Sequence, residues 1–371
     1  MGITVEHLSK SIRGNAIVNE ISFEVNDGDF ATLLGATGSG KTSLLRLIAG
    51  IDRPDSGRVL YDGEDVTALA VQKRSVAFVY QQFVNYPSLT IFENIASPLR
   101  VNKPVPDNTE ITKRVEEVSE LLGLRHVLNH RPEEISGGQQ QRTAIARALI
   151  KDSKFMFLDE PLANLDYKLR EELRGELKRI FRERGGCAIY ATPEPMDALS
   201  MASHVGYMQG GQLMQYGPTQ EVYKQPCHRD VGAYFSYPEM NILSAQGVEI
   251  EGQPFLAVSE SLQFAWPFDA DSFTPGPCLA GFRAHALRPE NDATTGDITF
   301  SGTVELAEVV GSDTEVHLQH EAHRLVSLVP SLRTFPPGSE ARFCVSPEDC
   351  YLFDADSGAL LHSSVADGAV V

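Results

Sequence analysis

Gly35-Ala36-Thr37-Gly38-Ser39-Gly40-Lys41-Thr42 is the stretch on which the reading of this chain turns. It fits the pattern G-x-x-x-x-G-K-[ST], with each required residue in place. The apolar run 30–34 before it reads as a strand, and 43–49 after it, opened by Ser43, reads as a helix stopped by Gly50. Strand, glycine-rich turn and helix in that order build an anion site. The glycines let backbone amides approach a phosphate, and the helix N-terminus adds the positive end of its dipole. Lys41 is then placed to reach the β- and γ-phosphates of a nucleotide, and Thr42 to ligate Mg2+.

The 371 residues leave room for two or three domains, and 42% hydrophobic residues suffice for a packed core. Lysine and arginine number 32 against 50 acidic residues, and the formal charge of -18 argues against a general binder of nucleic acid or anionic membranes. No apolar stretch reaches the roughly 18 residues of a membrane span, and a basic-then-apolar leader is missing after Met1, so a cytosolic chain is expected. Five cysteines, Cys187, Cys227, Cys278, Cys344 and Cys350, lack metal-ligand spacing with histidine and read as packing residues of a reducing compartment.

Working outward from the loop, 3–7 and 21–25 read as strands, the second with Ile21, Phe23 and Val25 on one face. A short strand at 58–61 closes on Asp62-Gly63. The run 76–80 leads to Gln81, a residue able to reach the metal and the attacking water of a nearby nucleotide. Prolines across 98–106 break the chain before a helix at 111–122. Ser136-Gly137-Gly138-Gln139 then opens a helix at 140–150, and a serine with two glycines at a helix start is a second anion site. One loop already holds the triphosphate of this chain, so a second site implies a second nucleotide, as two chains facing head to tail would supply. The strand 155–158 ends in Asp159-Glu160, where Asp159 can hold magnesium and Glu160 can polarise a water. Asn164-Leu165-Asp166 leads into a charged helix at 167–184.

With the phosphate loop, Gln81, Ser136-Gly137-Gly138-Gln139, Asp159-Glu160 and Asp166 in this order, residues 3–237 resemble the ATP-binding-cassette ATPases. The resemblance implies an α/β P-loop NTPase domain over 1–237, a RecA-like core with an α-helical subdomain at about 88–150. It implies a nucleotide-sandwich dimer in which Ser136, Gly137, Gly138 and Gln139 of one chain cover the ATP of the other, with Asp166 also at the nucleotide. Residues 82–99 would line a groove for a coupling helix of membrane subunits, while Arg74, Tyr86 and Asn94 read equally as contacts there or as packing. After a hairpin over 204–216 with a Gly210-Gly211 turn, a boundary falls at Pro238-Glu239-Met240-Asn241. Short alternating segments at 248–250, 255–258, 298–304, 315–318 and 341–345 then read as an all-β domain over 238–371. Gly281-Phe282-Arg283, Glu308-Val309-Val310-Gly311 and Leu352-Phe353-Asp354 resemble the OB-like regulatory (TOBE) barrel of maltose-type and glycerol-phosphate-type importer ATPases. The stretches 79–87 and 162–167 resemble ATPase subunits of bacterial glycerol importers, in which two different ATPase chains pair. These likenesses imply an ATP hydrolase peripheral to the cytoplasmic face of the inner membrane. Its partners would be two integral membrane permease subunits and, indirectly, a periplasmic solute-binding protein, with no nucleic acid.

Two positions depart from the family pattern. Where the family usually has a histidine at the γ-phosphate, this chain has Pro193, which offers neither a ring nitrogen nor a backbone donor. Where the family commonly stacks an aromatic residue on adenine, it has Ile12, giving up an interaction of about 1–3 kcal/mol in stacking sites generally. Both changes concern the ATP on this chain's own loop, whereas 136–139, which serve the partner's ATP, are intact. The expectation is a heterodimer with a paralogous ATPase whose own site here binds Mg-ATP and hydrolyses it slowly or not at all, at the extreme a mainly regulatory subunit. The alternative is a homodimer of normal turnover in which Thr192 or Glu194 compensates.

Overall fold

The computed structural model describes residues 2–101, 104–163, 165–260, 262–268, 273–292, 294 and 296–364, so Asn164 lies outside the described residues. The chain divides into two compact units, Met1–Thr219 and Gln220–Val371.

The first unit opens with a long antiparallel ribbon, β1 (Gly2–Ile12) and β2 (Asn15–Asn26), where the sequence suggests only two short strands. The pairing shifts register between Val5 and Leu8 and again between Leu8 and Lys10, and His7 and Glu20 have φ of 46° and 49°. Such bulges break the two-residue alternation by which a strand is recognised. Next come β3 (Phe30–Leu34), α1 (Lys41–Ala49), β4 (Ser56–Tyr61), β5 (Glu64–Asp65) and β6 (Val76–Val79). Three helices follow, α2 (Ile91–Arg100), α3 (Asn108–Leu121) and α4 (Gly137–Ile150). The unit continues with β7 (Phe155–Asp159), α5 (Tyr167–Arg184), β8 (Cys187–Thr192), α6 (Pro195–Met201), β9 (His204–Gln209) and β10 (Gln212–Pro218).

Helix α2 is absent from the sequence expectation because Pro98 lies within it. Its start is nevertheless marked by a capping box: the Glu93 amide donates to Thr90 Oγ1 at 3.2 Å and the Thr90 amide to Glu93 Oε2 at 3.0 Å. The Ser97 hydroxyl donates at 2.7 Å to the Asn94 carbonyl, the acceptor that Pro98 leaves without its helical donor.

The central sheet runs β10-β9-β3-β8-β7-β6, with β3 parallel to β8 and β9, and β7 parallel to β8 and β6. Strands β3, β7 and β8 are buried along their whole length, as strands covered on both faces must be. On one face α1 inserts Leu44, Leu45, Leu47 and Ile48 into a core shared with Val5, Phe23 and Val59 of the separate β2-β1-β4-β5 sheet. On the other, Ile91, Ile95, Ile145 and Leu149 of α2 and α4 pack with Leu158 and Leu177. The phosphate loop follows β3, Gln81 lies beyond β6, Asp159 ends β7 and Pro193 follows β8. All four therefore lie at carboxyl ends of parallel strands, where open α/β sheets bind ligands.

The second unit takes in all but the first residue of α7 (Thr219–Lys224) and the whole of α8 (Arg229–Tyr234) ahead of its strands. Arg283 accounts for this: its guanidinium lies 3.8 Å over the Tyr223 ring and donates to the Tyr223 and Gly232 carbonyls and the Ser236 hydroxyl. Strands β11 (Asn241–Ile250), β12 (Gln253–Ala257), β13 (Gln263–Ala265) and β14 (Gly276–Phe282) join a late pair, Tyr351–Asp354 and Leu360–Ser363, in a six-stranded antiparallel sheet. Between them in sequence β15 (Arg288–Pro289), β16 (Ile298–Val310), β17 (Asp313–His320), β18 (His323–Val329) and β19 (Glu340–Val345) form a five-stranded one. Phe282, Phe300, Leu318 and Phe343 lie in its core.

Candidate functional site

Gly40 is the N-cap of α1, with φ of 105°. A Cβ there would lie 2.5 Å from the Ile17 carbonyl oxygen, so the loop passes directly under the backbone of β2. Gly40→Ala is therefore expected to cost about 1–3 kcal/mol of stability and to weaken ATP binding at least roughly tenfold. Thermal unfolding with and without ATP checks this, and a variant that gains as much from ATP as the wild type refutes it. Lys41, only 3% exposed, donates from Nζ to the Gly35 carbonyl at 2.7 Å and the Ala36 carbonyl at 3.0 Å. Burial lowers the pKa of its ammonium, against the opposing pull of Glu160 and Asp159.

Asp159 and Glu160 arrive from β7. The Thr42 hydroxyl donates to Asp159 Oδ1 at 2.9 Å, and Gln81 Nε2 donates to Glu160 Oε2 at 2.8 Å. Glu160 sits in the left-handed region at φ of 44°, and its amide donates to the Ala191 carbonyl of β8 at 2.9 Å. That strained residue fixes the carboxylate just beyond the carboxyl end of β7. Burial raises the pKa of Asp159 and Glu160 adds to the rise, opposed by the Thr42 hydrogen bond and by Lys41 and Arg46. A hydroxyl beside such a buried carboxylate fits a divalent cation. Among the described residues no group of three or more His, Cys, Asp or Glu could hold a metal, so an ion here would draw its remaining ligands from phosphate and water.

Lys41, Thr42, Gln81 and Glu160 line a pocket of about 580 Å³, with Asp159 buried behind Thr42. Of the expected nucleotide residues, Ile12, Thr37, Gly38, Gly40, Lys41, Thr42, Ser43, Gln81 and Glu160 form its wall. Gly35, Ala36 and Ser39 shape the loop beneath, with the Ser39 amide donating to the Ala36 carbonyl at 3.1 Å. The pocket adds Arg13, Asn15 and Ile17, which sequence reasoning missed. Their signal was Gly14, the turn glycine that brings β2 back over the loop.

The stretch expected to form a second anion site is a capping box. The Gln139 amide donates to Ser136 Oγ at 3.3 Å and the Ser136 amide to Gln139 Oε1 at 2.9 Å. A Cβ on Gly138 would lie 3.2 Å from the Leu165 side chain, and the next residue, Asp166, caps α5 by accepting from the Leu169 amide at 3.0 Å. None of Ser136, Gly137, Gly138, Gln139 or Asp166 lines the pocket of its own chain. Pro193 is also outside the pocket lining, half-buried after β8. Its neighbour Thr192 is committed elsewhere: the hydroxyl donates to Asp197 Oδ2 at 2.9 Å and accepts from the Glu194 amide at 3.1 Å. The exposed Glu194 carboxylate stands 3.9 Å from Arg170.

A groove of about 710 Å³ runs along the β6 side of the same unit, lined in part by Tyr80, Val84, Tyr86, Arg147 and Lys151. Tyr86 is exposed there, with the Arg147 guanidinium 4.5 Å over its ring. Arg74 and Asn94 are packing residues instead. Arg74 donates to the carbonyls of Ile48, Val66, Thr67 and Leu69, and Asn94 to those of Tyr86, Leu89 and Thr90. No helix among the described residues is long and apolar enough to cross a membrane.

Comparison with known proteins converges on this geometry. The ABC transporter family pattern matches residues 18–163 and the TOBE domain pattern residues 283–353. Over 362 residues the chain is 32% identical to the maltose/maltodextrin import ATP-binding protein MalK of Vibrio vulnificus, covering 96% of each chain. It is 35% identical over 356 residues to the trehalose/maltose import ATP-binding protein MalK of Thermococcus litoralis, covering 92% of this chain and 94% of the relative. Among solved structures, the dimeric ATP-binding cassette MJ0796 bound to ADP and Pi superposes with a TM-score of 0.55 at 28% identity, over 58% of this chain and 98% of that one. With the loop, the acidic pair and the TOBE strands in place, the chain belongs to the ABC transporter family as one of its ATP-hydrolysing, ATP-binding subunits.

Proposed function

We propose that this chain is the ATP-binding subunit of an importer of a polyol or sugar, with glycerol as the solute. The observation that carries the energising role is the pairing of Thr42 with Asp159 and of Gln81 with Glu160 around one loop. An importer is supported by the maltose and trehalose import proteins that resemble it over nearly its whole length. Glycerol rests on the likeness of 79–87 and 162–167 to glycerol-type subunits.

In this reading Lys41 exchanges its two carbonyl acceptors for phosphate oxygens, and the loop amides close around them. Thr42 and Asp159 would hold Mg2+, which neutralises phosphate charge when bound. Gln81 orients the attacking water, and Glu160 accepts its proton. Ser136, Gly137, Gly138, Gln139 and Asp166 face the nucleotide of a paralogous ATPase in a heterodimer. The Tyr86 groove receives a coupling helix of the membrane subunits, and the two permease subunits hold the chain at the cytoplasmic face of the membrane and meet the periplasmic solute-binding protein on the far side.

The own site is proposed to be catalytically weak. Pro193 has no donor to offer a γ-phosphate, and the Thr192 hydroxyl is already engaged by Asp197. A second reading, a homodimeric carbohydrate-importer ATPase with normal turnover, is favoured by the intact Gln81–Glu160 contact. Steady-state ATPase of the assembled transporter separates them. Glu160→Gln in this chain is expected to leave turnover within about twofold, whereas the same change in the partner ATPase removes the general base and costs roughly 10²–10⁴-fold. Equal losses from both changes would mean that this site is catalytic despite Pro193.

A further inference from the structure

We infer that Arg13 is the base-binding residue of the nucleotide pocket, its guanidinium stacking on the purine face beside Ile12. The inference rests on reading this pocket as the ATP site.

Arg13 and Gly14, with φ of 53° and 83°, form the two-residue turn between the paired Ile12 and Asn15. A turn with both central residues at positive φ matches the twist of a ribbon and is tight, so its tip has a defined place. That place is set by the phosphate loop. Cβ atoms on Gly40 and Gly211 would lie 2.5 and 2.8 Å from the Ile17 carbonyl oxygen. The Asn19 amide donates to the Gly211 carbonyl at 2.9 Å, and the Gly211 amide to the Ser39 carbonyl at 3.1 Å. Ribbon and loop are thus joined by backbone contacts, and a base carried by phosphates at Lys41 reaches the ribbon tip.

The chemistry offered at that tip is limited. Among the described residues Ile12, Ile17, Asn15 and Arg13 line this end of the pocket, and no aromatic side chain does. Ile12 and Ile17 give an apolar wall, and the one planar cation is the Arg13 guanidinium, which can lie flat on a π-face. Arg13 is exposed, and among the described residues none forms a hydrogen bond or ion pair with it, so it is free to turn onto a base.

Titration calorimetry on the full chain, with ATP and with inorganic tripolyphosphate, tests this. Arg13→Gly suits the positive φ of the turn and is expected to weaken ATP about tenfold while leaving tripolyphosphate within about twofold. Arg13→Lys keeps the charge without the plane and should stay weak, and Arg13→Trp should restore ATP binding to wild-type strength or better. Unchanged ATP binding by Arg13→Gly overturns the inference, as does a parallel loss for both ligands, which would assign Arg13 to the phosphates. A wild-type chain that binds neither ligand would instead sink the nucleotide reading itself.

Discussion

Lys41→Ala is expected to reduce ATP affinity of the full chain by at least about 100-fold, and to remove whatever hydrolysis its own site supports. Lys41 is the buried cation of the pocket, and Asp159 and Glu160 lie near enough to shift its pKa. Without it, only the loop amides, and Mg2+ when bound, are left to set against two carboxylates and a triphosphate, because Arg13 lies at the ribbon end of the pocket. Hydrogen bonds to charged groups contribute about 1.5–3 kcal/mol each, and the ammonium can offer more than one, so a loss of about 3 kcal/mol, or 100-fold, is a lower estimate. The fold should survive, because the hydrogen bonds lost are to two carbonyls of the loop itself, that of Ala36 on an exposed residue, and tie Lys41 to no other element. Calorimetric titration together with the ATP-induced rise in Tm checks both halves. A variant whose Tm rises with ATP as far as the wild type's would show that Lys41 is dispensable for binding.

The parts of this site that the sequence made legible are those whose chemistry is local. The loop glycines, Ser136 and Asp166 each answer to backbone requirements within a few residues, and Gly40, Ser136 and Asp166 stand as the N-caps of α1, α4 and α5. The contact between Thr42 and Asp159 spans 117 positions and exists because β8 alone separates β3 from β7 in the sheet, an ordering that motif spacing does not encode. What went unseen has equally local causes. Bulges at His7 and Glu20 hid the ribbon that brings Arg13, Asn15 and Ile17 to the pocket, and Pro98 hid α2 although Thr90 and Glu93 announce it. In the second unit the strand Tyr351–Asp354 is buried without alternation at its first three residues, so periodicity had nothing to report.

Asp197→Ala is expected to destabilise the first unit by about 3–5 kcal/mol, the largest stability effect among these changes. Asp197, on α6, is 2% exposed and serves two other elements at once. Arg174 of α5 donates to Oδ1 from Nε at 2.9 Å and Nη2 at 2.7 Å, while Tyr190 and Thr192 of β8 donate to Oδ2 at 3.0 and 2.9 Å. Burial acts to lower the pKa of Arg174, and Asp197 and Glu171 outweigh it. Removing the carboxylate leaves a buried guanidinium with Glu171 as its remaining acidic partner and leaves two buried hydroxyls without their acceptor, the costly way to break such a network. By comparison Tyr190→Phe or Thr192→Ala removes one donor each and should cost about 1 kcal/mol. The double change Arg174→Met with Asp197→Leu removes both charges and should recover much of the loss, which separates an unpaired charge from a packing defect. Chemical denaturation of the four variants gives these differences as shifts in midpoint, and a cost below about 1 kcal/mol for Asp197→Ala would refute the network's role. The effect also reaches function, because Thr192 immediately precedes Pro193 and its hydroxyl holds the Glu194 amide. Thr192→Ala frees that turn at little cost in stability, so altered ATPase in this variant, with the fold intact, would show that the turn held by the Asp197 network bears on turnover.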